Sequence, residues 1–339
     1  MLRRAVVALC LLLASICASA QSSRHFTFHY EFTVRAVDHG KPLRVWIPLA
    51  HSNPYQTVHV TSKKGDLPLK QTKEPRFGNT MLYAETRSAS QSDYTFAVDY
   101  DVIRREHVAL TDEDRREAEA GTTVAGNATL KQASMSVYLS PDRLVPTTGL
   151  PAEIAAKTVA GKNGDLAKAR ALYDYVLANM RYDKSGTGWG HGDTLWACDA
   201  KRGNCTDFHS LFISMARSQG IPARFEIGFP LPADKHDGEI PGYHCWAEFY
   251  ANGKGWVPVD ISEAWKHKSQ TEYFFGAHDA NRVAFTMGRD LVLSPAQSGE
   301  PLNYFVFPYV EEDGKQYENV SNHFSFADLP QQNTAKRQM

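Results

Sequence analysis

The sequence predicts an α+β fold, in which an N-terminal antiparallel β-sandwich precedes a second region that mixes helices and strands. Two observations carry this reading. Apolar residues first recur with the period of two expected of half-buried strands, and after "SPDRLVP" they recur with the period of a helix. A length of 339 residues, 42% apolar and 22% charged, leaves room for two such cores.

The chain begins "MLRRAVVALCLLLASICASAQSS". Arg3 and Arg4 precede an apolar run from Ala5 to Ile16, and Ala18-Ser19-Ala20 follows, which are the three parts of a secretory signal peptide. Residues 1–20 are therefore expected to be removed, and the apolar run is too short for a permanent membrane anchor. Lipid attachment wants a small residue before a cysteine, but Leu9 precedes Cys10 and Ile16 precedes Cys17. The mature protein is expected in a periplasm or outside the cell. Removing Arg3 and Arg4 from the 37 basic residues leaves 35 against 38 acidic ones, a net charge of −3 with neutral histidines. Nothing in that balance suggests a nucleic-acid partner.

Residues 21–140 read as the sandwich. Phe26, Phe28, Tyr30, Phe32 and Val34 alternate with polar residues, and Tyr94, Phe96, Val98, Tyr100 and Val102 do the same further on. Between them lie "LRVWIPL", the loop "SKKGDLPLK" and the turn-like "RFGNT". The charged run "RREHVALTDEDRREAEAG" is either a polar helix or a solvated connection.

Residues 141–325 carry the second region. Asp165 is expected to cap a helix whose apolar face is Leu166, Ala169, Tyr173, Val176, Leu177 and Met180. The loop "DKSGTGWGHGD" is glycine-rich but lacks the spacing and the Lys-Ser/Thr ending of a phosphate cradle. In "GNCTDFHSLF" a cysteine opens the next helix, whose stripe of Phe208, Leu211, Phe212 and Met215 ends at "QGIP". Cys205 thus stands at a helix N-terminus on the buried side. A helix N-terminus and an adjacent imidazolium both stabilise a thiolate, so a nucleophilic cysteine here wants a histidine. The strand "GYHCWAEFY" offers His244, with Trp246, Glu248 and Tyr250 on the same face, and "GWVPVDI" offers Asp260. A three-residue turn of Ala251, Asn252 and Gly253 sets His244 directly across from Asp260, whereas a two-residue turn would put Asp260 on the other face.

The stretches "GNCTDFHSLFISMARSQGIPARFEIGF", "YHCWAEFY" and "GWVPVDISEAW", in that order over roughly residues 165 to 265, resemble the transglutaminase-like superfamily. The resemblance implies a papain-like α+β core, an N-terminal β-sandwich ahead of it, and a Cys-His-Asp triad carried by Cys205, His244 and Asp260. It implies an acyl-transfer or amide-hydrolysis enzyme acting on a peptide or protein through a thioester, without a cofactor. Ile261 stands where a proline is common in the family, and His209 and Cys245 stand where small residues are.

Other readings compete. One takes the core as a catalytically inactive relic in a secreted binding protein, and another takes Cys205, His209 and His244 as a metal site, although no Cys-x-x-Cys spacing supports one. Trp189 and Trp196 are chiefly packing residues whose indole N–H groups could assist the Cys205 backbone in holding an oxyanion. Glu248 reads as a supporting residue. Cys198, Cys205 and Cys245 are an odd number of thiols for an exported chain, so a Cys198–Cys245 bridge that leaves Cys205 free competes with a Cys198–Cys205 bridge that blocks it. Cys245 is expected on the strand face turned away from the site. The region after 270 is expected to complete the core sheet, with Arg282 and Arg289 as structural arginines and residues 326–339 as a flexible tail.

Overall fold

The structure, a computed structural model, describes residues 22–121 and 135–330. The expected signal peptide and residues 331–339 of the expected tail lie outside the described residues. In chain order the first part consists of strands β1 (Ser23–Val34), β2 (Leu43–Pro48), β3 (Gln56–Gly65), β4 (Lys70–Lys73), β5 (Thr80–Thr86), β6 (Tyr94–Arg105) and β7 (His107–Val108). Helices α1 (Asp112–Ala120), α2 (Leu150–Thr158) and α3 (Asp165–Asn179) follow, then β8 (Arg181–Tyr182), α4 (Thr194–Ala200), β9 (Arg202–Gly203) and α5 (Cys205–Ser218). Strands β10 (Ala223–Pro230), β11 (Asp237–Glu239), β12 (His244–Ala251) and β13 (Gly255–Val259) lead to α6 (Ile261–Lys266). The chain ends with β14 (Ala277–His278), β15 (Arg282–Met287), β16 (Tyr309–Glu312), β17 (Lys315–Gln316) and β18 (Val320–Asp328).

Two antiparallel sheets, ordered β11-β18-β1-β6-β3 and β17-β16-β2-β5-β4, form the sandwich. Its inner face is the expected one: Phe26, Phe28, Tyr30, Phe32 and Val34 are buried against Val45, Ile47, Leu82 and Ala84 of the second sheet. A separate sheet, β13-β12-β10-β15, backs the second region. The two regions share one apolar core, because Phe28 of β1 meets Phe229 of β10 and Phe285 of β15 at ring-centroid distances of 5.2 and 5.6 Å.

Helix α5 is the axis of the second region. Every residue from Cys205 to Arg217 is buried, so the stripe read from the sequence is only one side of a helix enclosed all round. Phe212 reaches Phe249 of β12, and the far end closes at Gly220, whose φ of 77° lets Ile221 N–H return to Ala216 O at 3.0 Å. Asp165 is not a cap: Gly164 holds that position, and Asp165 is the first helical residue of α3 with no capping bond. The charged run after β6 resolves into β7 and α1, opened by a capping box between Thr111 and Asp114.

The C-terminal expectation holds for one strand only. β15 pairs with β10 and extends the core sheet, whereas β16 joins β2 and β18 lies against β1 at the centre of the sandwich. The sandwich is therefore built from both ends of the chain rather than from residues 21–140 alone. β18 runs to Asp328, past the point where the tail was set to begin. Its alternating Phe324 and Phe326 bury on the same aromatic face as Tyr30 and Phe28.

Candidate active site

Cys205 opens α5 at its first helical position, where its backbone N–H has no intrahelical acceptor. The turn before it is held by a capping box: Asn204 Oδ1 accepts from Thr206 N–H at 2.8 Å, and Asp207 Oδ2 accepts from Asn204 N–H at 2.9 Å. Asp207 also accepts from Gly190 N–H at 2.7 Å and Gly192 N–H at 2.9 Å, which pins the glycine-rich loop over the start of the helix. Gly192 has φ of 59°, and a Cβ there would run into Ser210, Thr206 and Arg289.

His244 begins β12, and Asp260 caps α6 immediately after β13. The hairpin between them differs from the expected one. Ala251 pairs with Gly255 around a loop of Asn252, Gly253 and Lys254, closed by Lys254 N–H to Ala251 O at 3.0 Å. The register is thereby shifted by two residues, which preserves facing but places Asp260 diagonal to His244 instead of opposite. The contact survives: His244 Nε2 donates to Asp260 Oδ2 at 2.7 Å. Nδ1 is left for the Cys205 sulfur, with which His244 hydrogen-bonds.

Burial opposes every charge here, yet the charges support one another. Desolvation raises the Cys205 thiol, but hydrogen bonds from Cys245 and His244 outweigh it and hold the thiol well below its usual range. Desolvation lowers His244, but Asp260 and Cys205 raise it to about 10. Burial likewise raises Asp260, and His244 and Arg282 bring it well below the carboxylate range. Arg282, itself buried, donates to Asp260 Oδ2 at 2.9 Å and lies over the Trp246 ring. The arrangement favours a thiolate and an imidazolium backed by a braced carboxylate, a set suited to nucleophilic attack followed by proton return.

Residues 152–261, which hold all three groups, match the model of the Transglutaminase-like superfamily. This segment belongs to that superfamily. A candidate cysteine protease from Cytophaga hutchinsonii shares the fold over 93% of this chain and 94% of its own, with a TM-score of 0.60 and 16% identity. An uncharacterized protein of Haemophilus influenzae is 28% identical over 326 residues, 85% of each chain. The Bacillus subtilis protein YebA is 25% identical over 131 residues, 34% of this chain and 18% of its own.

Around Cys205 the other expected residues fall unevenly. Cys198, Cys205 and Cys245 are all free thiols, so neither expected bridge is present. Cys245 does not face away: α5 packs directly on its side of β12, and its Sγ lies 3.7 Å from Thr206 Oγ1 and 3.8 Å from His209 Nδ1. Burial and the neighbouring Cys205 push the Cys245 thiol well up, the opposite direction from Cys205. Cys198 sits on α4, where burial raises it to about 11. Trp189 is half-buried and donates to Gly186 O at 3.1 Å, while Trp196 lays its indole edge against Gly188. Glu248 is buried and tied to Arg224 at 2.9 Å.

Several site residues carry no motif. Tyr182 is brought beside Cys205 by the short parallel pair β8–β9, which aligns it with Gly203; burial and then the Cys205 thiolate raise it to about 12. Tyr243 OH bridges Asn204 Nδ2 at 3.1 Å and Thr206 Oγ1 at 3.0 Å. His209 accepts Ile261 N–H at Nε2, 3.0 Å, so its proton resides on Nδ1, and burial lowers it to about 4. It is a neutral strut between α5 and α6. A cavity of about 800 Å³ opens on His244 and Arg282, with Glu106, Asp234, Glu263 and Asp279 in its wall.

Proposed function

We propose that the protein is an exported cysteine enzyme that transfers or hydrolyses acyl groups of peptide or glutamine amides. The observation that carries this reading is the buried chain of Cys205, His244 and Asp260, in which the sulfur and the imidazole each stabilise the other's charged form. The Cys205 thiolate adds to the amide carbonyl carbon, and the oxyanion is held by the Cys205 backbone N–H with assistance from the Trp196 indole. His244 Nδ1–H gives its proton to the departing amine, leaving a thioester. Water or an amine then loses a proton to His244 and adds to the thioester, and the thiolate departs. Asp260 keeps the imidazole oriented throughout.

The carboxylates of the cavity beside His244 favour substrates or acyl acceptors that carry positive charge. The apolar run and Ala18-Ser19-Ala20 support export by a cleaved signal peptide; no helix among the described residues is long and apolar enough to cross a membrane.

The experiment is alkylation by iodoacetamide near neutral pH with intact-mass readout and peptide mapping. Selective labelling of Cys205, lost in Cys205→Ala, is expected. Equal sluggishness of Cys198, Cys205 and Cys245 would leave the inactive-relic reading standing.

A further inference from the structure

His107, Glu248 and His278 form a second buried cluster, apart from the Cys205 site. They come from three elements, β7, β12 and β14, and their candidate ligand atoms all lie within 4.8 Å of one another. β7 pairs with β14 so that His107 and His278 are direct cross-strand partners. His107 Nδ1 lies 3.5 Å from Glu248 Oε1, while Arg224 occupies the other oxygen, Oε2. His278 is 0% exposed, and neither of its ring nitrogens has a hydrogen-bond partner. Two unpartnered polar atoms on one buried ring are costly and call for an explanation.

We propose that His107, Glu248 and His278 bind a divalent transition metal, with zinc as the expected ion. Two imidazoles and one carboxylate are a zinc-type donor set. With bonds of about 2.0–2.1 Å, tetrahedral ligands stand about 3.3 Å apart. The His107–Glu248 pair is near that spacing at 3.5 Å, and a His278 ligand atom lies within 4.8 Å of both, a gap that ligation would close. The nearest cations, Arg104, Arg224 and Arg282, are matched by the carboxylates Glu226, Asp260 and Asp279 in addition to Glu248. A cavity of about 380 Å³ is lined by both His107 and Glu248, which gives the ion a route in and a water a place at the fourth position. The ion ties β7, which continues from the sandwich strand β6, to the core strand that begins with His244. The proposal rests on no step of the acyl-transfer reading.

The test is Zn²⁺ alone, titrated calorimetrically into the chelator-stripped full chain, with Cys205→Ala and His278→Ala in parallel. One ion per chain is expected, with binding unchanged in Cys205→Ala and weakened by more than about 100-fold in His278→Ala. Zinc should raise the melting temperature of the wild type. Co²⁺ loaded into the wild type supplies a reading that needs no variant: nitrogen and oxygen ligands give d–d absorption without a thiolate-to-cobalt charge-transfer band. No retained ion, or a charge-transfer band together with binding lost in Cys205→Ala, overturns the assignment; the latter places the metal on Cys205 or Cys245.

Discussion

Asp260 stays ionised at zero exposure because its oxygens are occupied by His244, Arg282 and Ser262. Replacing it by asparagine keeps the shape and removes the charge that raises His244. Turnover should therefore fall less in Asp260→Asn than in His244→Ala, whereas Cys205→Ala should abolish it with the melting temperature nearly unchanged; kcat/KM and thermal melts read both. Asp260→Asn should also cost about 3 kcal/mol of stability, since it takes from the buried Arg282 one of its two carboxylate partners and leaves Asp279 alone. His209 gives a separate pH signature. Its folded pKa of about 4 lies below the ordinary 6.5, so between those values the unfolded chain takes a proton that the native site refuses. Stability is expected to fall by about 3 kcal/mol as pH drops through that window, and His209→Gln, which keeps an acceptor for Ile261 N–H, should flatten the fall in denaturant melts. That Cys205, His244 and Asp260 lie together was legible because each opens or closes an element whose apolar pattern is itself readable. Arg282, Tyr182 and Tyr243 were not legible in these roles, because each depends on a partner brought near only by tertiary packing.

The β12–β13 hairpin shows how far element-level reasoning reaches. Strand faces follow from alternation, so the shared facing of His244 and Asp260 was readable, while the loop that fixes their register depends on which glycine takes the left-handed conformation. Both Gly253 and Gly255 do, at φ of 80° and 82°, and the pairing moves by two residues. On the other side of β12, Gly228 of β10 is the direct cross-strand partner of His244, next to an irregularity in the β10–β15 pairing. A Cβ on Gly228 would lie against the Val283 carbonyl oxygen, backbone that cannot swing aside. Gly228→Ala is therefore expected to cost at least about 1–3 kcal/mol by overpacking and to displace the strand that carries His244. Activity should fall further than stability accounts for, and the Cys205 alkylation rate, which reads the imidazole's position, should fall with it. If alkylation keeps its wild-type rate while the protein is destabilised, the displacement has not reached His244.

At the scale of the whole molecule the two regions share strands and one apolar core. β15 completes the core sheet, β16 pairs with β2, and β18 lies between β1 and β11. Truncation at residue 270 removes all three and strips the aromatic face of β1 of Phe285 and Phe324. The fragment is expected to be insoluble or to lack a cooperative melt; a soluble fragment that melts sharply would show that the sandwich stands without its C-terminal strands. That the last strands return to the first ones was not readable, because alternation reports that a strand exists and says nothing of its neighbour. The pairing of Tyr30 with Phe324 also sets a timetable. Synthesis delivers β1 at the outset and its partner almost at the end, and such distant contacts make folding slow. For most of its synthesis the chain therefore lacks the strand that pairs with β1, and that sheet stays incomplete until the last strand arrives.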